Sequence, residues 1–380
     1  MKLFHLSDLH LGKRVNEFSM IDDQKYILKE IQTLISKEKP QAILVAGDIF
    51  DRSIPSEDAV MLWDEFLSSL AEKKIPVFAI SGNHDSAIRF SEHSRLIDET
   101  GIHLSPAYDG KVSSFTLTDE FGEIDFFLLP FIKPANVKSF FPDEEIESYT
   151  DACRVAIEHM NVDASKRNVL VAHQFVTGAT RCESEDISVG GIDNVDAAVF
   201  ADFDYVALGH IHGKQSIGRD TVRYCGTPLK YSFSEKDHVK SVTVVEMGEK
   251  GDIAINEIPL KPLHDLREIK GKYEELTYKK NYENTDVNDY IHAILTDEND
   301  IIDAVGKLRV IYPNLMKLSY DNKRTRQQQS VTTVSEVEKK SPLSLFEEFY
   351  EKQNNDVMSA EQSDYVKKCI ESIWSEHETT

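Results

Sequence analysis

The sequence is short of three things, and each shortage removes a class of protein. Its 380 residues include four cysteines, Cys153, Cys182, Cys225 and Cys369, scattered without paired spacing. That excludes a disulfide framework or a cysteine-based zinc cluster and suits reduced thiols. No apolar run approaches the ~20 residues of a membrane-spanning helix. The opening Met1-Lys2-Leu3-Phe4-His5-Leu6-Ser7-Asp8 meets a carboxylate before a signal-peptide core of ~7–15 residues could form. The expectation is a soluble, cytoplasmic chain with no membrane contact. Positive charge is also scarce, since 43 Lys and Arg face 66 Asp and Glu and leave a formal charge of −23. General basicity of the kind that coats nucleic acid is thereby excluded, because it rests on clustered Lys and Arg. Carboxylates that hold divalent cations differ: they count as negative in the sequence yet form a locally positive site once metal is bound.

What is present is enough apolar residue, 41%, to bury a sizeable core. The length points to a catalytic domain with smaller appendages. Short β-rich apolar runs alternate with longer amphipathic stretches, which is an α/β pattern. It predicts strands over residues 2–7, 41–46, 77–81, 125–130, 168–172 and 205–208, helices near 22–37, 55–74 and 144–160, and closing strands over 240–246 and 253–258. The expected division is a main domain over 1–262, a compact α/β cap over 263–320, a polar linker over 321–340 and a helical tail over 341–380.

Polar clusters follow five of the strand-like runs: Asp8-Leu9-His10, Gly47-Asp48, Gly82-Asn83-His84-Asp85, Ala172-His173-Gln174 and Gly209-His210-Ile211-His212. In an open α/β sheet the carboxyl ends of parallel strands share one edge, so five distant segments are expected to meet in one crevice. Each cluster alone could be a turn or a chance pairing, but five in order at strand ends point to a site. Mixed imidazole and carboxylate ligation suits manganese, iron or zinc better than calcium or magnesium. Two divalent cations, with manganese favoured, would be held by Asp8, His10 and His212 on one side and by Asn83, His173 and His210 on the other. Asp48 has an oxygen for each and would bridge them. His84 would act in the chemistry, as a proton donor or a stabiliser of developing charge. The remaining histidines, among them His5, His93, His103 and His159, lack such context and are expected to be structural.

These motifs resemble the calcineurin-like metallophosphoesterase superfamily, whose hallmark clusters are all present. The runs Leu6-Ser7-Asp8-Leu9-His10-Leu11-Gly12-Lys13, Gly47-Asp48-Ile49-Phe50-Asp51-Arg52, Tyr205 to His212 and Pro228 to Glu235 are similar to its SbcD branch. The resemblance implies a β-sandwich flanked by helices, a small α/β cap and a C-terminal helical tail. It carries the ligand roles to the seven residues above and the catalytic role to His84. It further implies a homodimer joined to an SbcC-type coiled-coil ATPase as a heterotetramer. Its activity would be manganese-dependent cutting of DNA ends, hairpins and single strands in repair, recombination and replication. One departure is Cys225 and Thr227, where the family often has serine; both are small, and no loss of activity is expected.

The competing function is a phosphatase on the same metal site, but those enzymes usually have Gly and Glu where Ser53 and Asp85 stand here. Lys13, Arg14, Arg52 and Arg89 are candidate phosphate clamps at the crevice mouth, equally readable as solvated charge. In the tail, Leu343, Phe346, Phe349 and Tyr350 share one helical face, and Val366, Ile370, Ile373 and Trp374 form a second apolar stripe. The expected occupant of these stripes is the ATPase partner.

Overall fold

The computed structural model describes residues 1–92, 94–185, 193–329, 342–354 and 357–377. The chain divides into two compact units, Met1–Asp265 and Leu266–Thr380. The principal strands of the first are β1 Lys2–Leu6, β2 Ala42–Ala46, β3 Val77–Ile80, β4 Ile102–Leu104, β5 Ser113–Asp119, β6 Gly122–Leu129, β7 Arg167–His173, β8 Tyr205–Gly209, β9 Gln215–Ile217, β10 Arg219–Tyr224, β11 Ser241–Met247 and β12 Ile253–Pro259. They form two six-stranded sheets, ordered β12-β11-β1-β2-β3-β4 and β9-β10-β8-β7-β6-β5. β1 to β4 run parallel to one another, as do β6, β7, β8 and β10, with antiparallel strands outside them.

Strand composition explains these positions. β2, Ala-Ile-Leu-Val-Ala, is buried at every residue, as a central parallel strand covered on both faces must be. Helices α1 Ile21–Glu38 and α2 Glu57–Glu72 are the crossovers β1 to β2 and β2 to β3, which places them over one face of the first sheet. α2 starts where Ser56 accepts the Ala59 amide through its hydroxyl, with Glu57 and Asp58 in its first turn. The other face packs against the second sheet through Leu3, Leu44, Phe78, Phe126, Leu128, Val171 and Tyr205. At its centre the Phe78 and Phe126 rings stack at 4.4 Å. The outer face of the second sheet is covered by helix α3, Tyr149–Glu158, through Ala152, Val155 and Ala156.

In the second unit β13 Leu266–Gly271, β14 Tyr290–Leu295 and β15 Leu315–Tyr320 form a parallel sheet ordered β13-β14-β15. Ile291, Ala293 and Leu295 pack with Leu308 and Tyr312, which lie on and just after the crossover helix Ala304–Arg309. A helix, Lys323–Gln329, occupies the start of the stretch expected as a linker. It is tied back by Arg324–Asp300 at 2.8 Å and Arg326–Asp321 at 2.7 Å. Residues 330–341 lie outside the described residues. Helices Pro342–Asn354 and Ala360–His377 follow, joined where Ser363 donates to Glu347 at 2.6 Å and Gln362 to the Tyr350 hydroxyl at 3.0 Å. No helix among the described residues is long and apolar enough to cross a membrane.

The α/β sandwich agrees with the expected fold class. One expectation changes: the motif-bearing strands do not share the edge of one open sheet. β1, β2 and β3 belong to the first sheet and β7 and β8 to the second, so the site lies on the seam between them.

Candidate metal centre

Three glycines allow the seam to close. A Cβ on Gly209 would collide with the Ala46 carbonyl oxygen, and one on Gly82 with the Asp48 carboxylate. Gly47, at φ +84°, would place a Cβ 2.5 Å from His173 Nδ1. The turn after β1 runs beside the turn after β2, with Asp8 N donating to Gly47 O at 3.0 Å and His10 N to Asp48 O at 3.0 Å. Asp8, His10 and Asp48 adopt φ of 52°, 44° and 50°, and His210 adopts 99°. Left-handed backbone at four non-glycine residues in one place is costly strain, and such strain gathers at functional sites.

The seven expected ligands converge. Asp8, His10 and His212 form one compact group, Asp8, Asp48 and His173 a second, and His10, Asp48 and His84 a third, with ligand atoms all within 4.8 Å of one another in each group. Asn83 Oδ1 lies 3.0 Å from both His173 Nε2 and His210 Nδ1. Asp48 Oδ2 lies 3.3 Å from His173 Nε2 and 3.7 Å from His10 Nε2, facing both groups.

Hydrogen bonds behind the ligands fix which atoms face inward. His173 Nδ1 lies 2.8 Å from the Ala46 carbonyl, an acceptor only, so Nδ1 carries the hydrogen and a neutral ring turns its Nε2 lone pair on Asn83 Oδ1 and Asp48. His212 Nδ1 is 2.8 Å from the Ser184 hydroxyl, which donates to Glu235 at 2.6 Å. His212 Nε2 therefore faces His10 Nε2 at 3.1 Å. The Asp8 carboxylate accepts the His210 amide at 2.9 Å and the Ser7 hydroxyl. Imidazole nitrogens, the Asn83 oxygen and two carboxylates thus face one another across a buried space, held together by shared hydrogens where a cation could take their place. Borderline nitrogen and hard oxygen donors together fit divalent transition metals.

Without a cation, a proton takes its place at one ring. Burial disfavours charge on His173, but the Asp48 carboxylate beside it outweighs that and raises its pKa to about 9, so a proton on that ring compensates the carboxylate as a metal cation would. Burial likewise works against the Asp48 anion, which His173 and His10 hold well below the usual carboxylate range. Burial pushes His10 far down and His210 to about 3, the form that ligates metal, and raises Asp8.

His84 stands at the rim, half-buried, with Nδ1 3.0 Å from the Asp51 carbonyl and Nε2 3.9 Å from Asp48 Oδ2. Its ring meets His10 edge-on at 4.8 Å. Of the expected phosphate clamps, Lys13 is near the site, paired with Asp51 at 2.7 Å and over the Tyr231 ring at 5.7 Å. Arg14, Arg52 and Arg89 are exposed. Arg14 donates to the Glu17 carbonyl, Arg52 approaches Asp51 at 3.9 Å, and Arg89 lines a cavity with Phe50, Trp63 and Phe90. Among the histidines expected to be structural, His5 bonds Tyr205, His103 pairs with Asp98 and His159 bonds the Val155 carbonyl. His93 lies outside the described residues.

Several supporting residues went unread in the sequence. Asp85 accepts the amides of Gly82, Ile49 and Phe50 at 2.9, 3.1 and 2.9 Å, and so clamps two motifs together. Glu185 accepts the His212 amide at 2.6 Å, while Lys240 donates to the His212 carbonyl at 2.9 Å and to Glu235. Gln24 and Tyr231 both donate to backbone carbonyls of the Leu9-His10 turn. Asp85 and Glu235 lie inside runs that carry the family resemblance; Ser184 and Glu185 carry no local signal.

A two-sheet sandwich with this ligand cluster on its seam defines a calcineurin-like phosphoesterase, and the profile of that family matches residues 1–214. A second profile, described as the Type 5 capsule protein repressor C-terminal domain, matches residues 262–354. The SbcD subunit of the SbcCD nuclease of Staphylococcus epidermidis is 34% identical over 98% of this chain and 99% of its own. That of Staphylococcus saprophyticus is 31% identical over 99% of each. The chain belongs to the SbcD family of calcineurin-like phosphoesterases. Among solved structures, a dimetal phosphatase from Danio rerio aligns over 69% of this chain and 98% of its own, at 11% identity and a TM-score of 0.41.

Proposed function

We propose that the chain is the nuclease subunit of a DNA-end-processing complex and hydrolyses phosphodiesters with two manganese ions. It would act as an exonuclease on duplex ends and an endonuclease on hairpins or single strands. The observation that carries this is the inward convergence of acceptor atoms on the seam, with Asp48 facing both groups, in a chain of the SbcD family. Asp8, His10 and His212 would hold one ion, Asn83, His173 and His210 the other, and Asp48 both. Such ions lower the pKa of a bound water and neutralise charge on the phosphoryl oxygens.

The protein residues orient and supply protons. Ala46, through His173, and Ser184 with Glu235, through His212, fix the rings so that one nitrogen of each faces inward. With Nδ1 donating to the Asp51 carbonyl, His84 presents Nε2 toward the reacting phosphate, and as an imidazolium it can deliver the Nε2 proton to the leaving oxygen and become neutral. Lys13, Arg14, Arg52 and Arg89 are proposed to meet flanking phosphates. The tail helices are proposed to dock the SbcC-type ATPase. Leu343, Tyr350, Val366 and Ile370 are half-buried, while Phe346 and Phe349 are 42% and 58% exposed. The side chains of Ile373 and Trp374 lie outside those described. For the homodimer, Ile54, Met61, Ile88 and Leu96 offer exposed apolar surface. We place the protein in the cytoplasm.

The test is hydrolysis of a DNA hairpin, a blunt duplex and p-nitrophenyl phosphate by manganese-loaded protein, with Asp48→Ala alongside. Cutting of DNA, lost with chelator and reduced more than ~100-fold in the variant, is expected. Preference for the monoester would make the chain a phosphatase.

A further inference from the structure

The loop between β7 and β8 leaves the metal ligand His173 and reaches the His212 support at Ser184 and Glu185. It is firmly held. Tyr224 donates its hydroxyl to the Gln174 carbonyl at 2.7 Å and accepts the Val176 amide at 2.8 Å. Gln215 bonds both the amide and the carbonyl of Thr180 at 2.9 Å. Phe175 pairs into a short ribbon with Asn194, and its ring lies 6.4 Å from that of His210. Over Phe175, at 3.6 Å from its centroid, sits the guanidinium of Arg181.

Arg181 is more than a loop fastener. Its Nη2 pairs with Asp193 at 2.7 Å and its Nε is buried without a hydrogen-bond partner among the described residues, yet the side chain keeps 19% exposure through its other atoms. Stacking on Phe175 fixes the plane of the fork, so little side-chain entropy is lost when another acceptor arrives. Lys13 pairs with Asp51, which lies 3.7 Å from His10, and Arg181 stacks on the ring that neighbours His210, so a cation stands near each group of ligands. A planar fork at that place suits the oxygens of a phosphodiester better than any neutral group.

We propose that Arg181, stacked on Phe175 beside His210, is a positioning residue that binds the phosphate next to the scissile one in a DNA strand crossing the metal centre. This rests on the nuclease reading above. Arg181→Gln, Arg181→Lys and Asp193→Asn are compared in the manganese-loaded full chain on a hairpin DNA and on bis(p-nitrophenyl) phosphate, which has no neighbouring phosphate. In Arg181→Gln, kcat/KM on DNA falls at least tenfold further than on the small diester, chiefly through KM. Arg181→Lys recovers part of that loss. The salt dependence of DNA binding by fluorescence anisotropy loses about one unit of slope in Arg181→Gln. Asp193→Asn, which removes the ion pair but keeps the guanidinium, holds DNA cleavage within threefold. Equal losses on both substrates, an unchanged salt slope, or an Asp193→Asn as damaged as Arg181→Gln would each reduce Arg181 to a structural pair. A wild-type chain that hydrolyses the diester but no DNA would overturn the nuclease reading and this inference together. One that cuts DNA undiminished by Arg181→Gln overturns the inference alone.

Discussion

At the scale of single residues, neighbouring side chains in one motif divide the labour. Asn83 turns its carbonyl oxygen inward between two imidazoles, whereas His84, next in the chain, ties Nδ1 to the Asp51 carbonyl and remains at the rim. His84→Gln is therefore expected to lower kcat by roughly 10²–10⁴-fold while elemental analysis still finds two manganese ions per chain. Loss of an ion would make His84 a ligand. His5 shows the opposite use of imidazole. It is fully buried in β1, with Nδ1 2.9 Å from the Tyr205 hydroxyl, and burial drives its pKa from 6.5 down to about 3. Between those values the unfolded chain binds a proton that the folded chain refuses. Its contribution to stability is complete above about pH 6.5 and is lost on acidification toward about pH 3, at about 1.4 kcal/mol per pH unit. Urea unfolding between pH 5 and 6.5 should show that slope shrinking by about one proton in His5→Gln. Parallel curves for the two proteins would contradict a buried neutral ring.

At the scale of elements, the two sheets must approach until a histidine of β7 reaches a carbonyl of β2. Gly209 makes this possible at the end of β8, since any side chain there meets the Ala46 oxygen and comes within 2.7 Å of His173 Nδ1. Gly209→Ala should cost roughly 1–3 kcal/mol in urea unfolding and weaken manganese binding by calorimetry, although no ligand is altered. An unchanged midpoint with full metal affinity would mean that the sheets can part at that point. How much of this could be read in the sequence follows from range. A five-residue apolar run ending in Asp or His announces a strand and the chemistry at its end, because both signals are local. Which sheet the strand joins is decided by packing of residues such as Phe78 on Phe126, and so the seam was invisible. β4 has only three residues and β5 has just Phe115 and Leu117 among Ser, Thr and Asp, too little apolar pattern to announce either. Ser184 and Glu185 support His212 through the path of a loop, which no periodicity records.

At the scale of the whole molecule, each of the two units has its own core, and the proposed metal ligands all fall in Met1–Asp265. Deleting residues 341–380 should therefore shift the thermal midpoint of that unit by under about 2 °C, less than ~1 kcal/mol. It should leave manganese-dependent hydrolysis intact while abolishing co-purification with the coiled-coil ATPase. A truncated chain that aggregates or loses metal would return the tail to the nuclease fold. Within the first unit, the seam has a bearing on the moment at which the protein becomes active. The ligand groups are completed from opposite ends of the domain: His212 joins Asp8 and His10, and His210 joins Asn83 and His173. During synthesis a chain grown as far as Gly209 is one ligand short at both positions. The strand that flanks β1 on its other side, β11, comes later still. A domain that folds as a unit when its last strand emerges has no complete ligand set while it is still being made, so a ribosome that stalls early releases a fragment without the proposed metal centre.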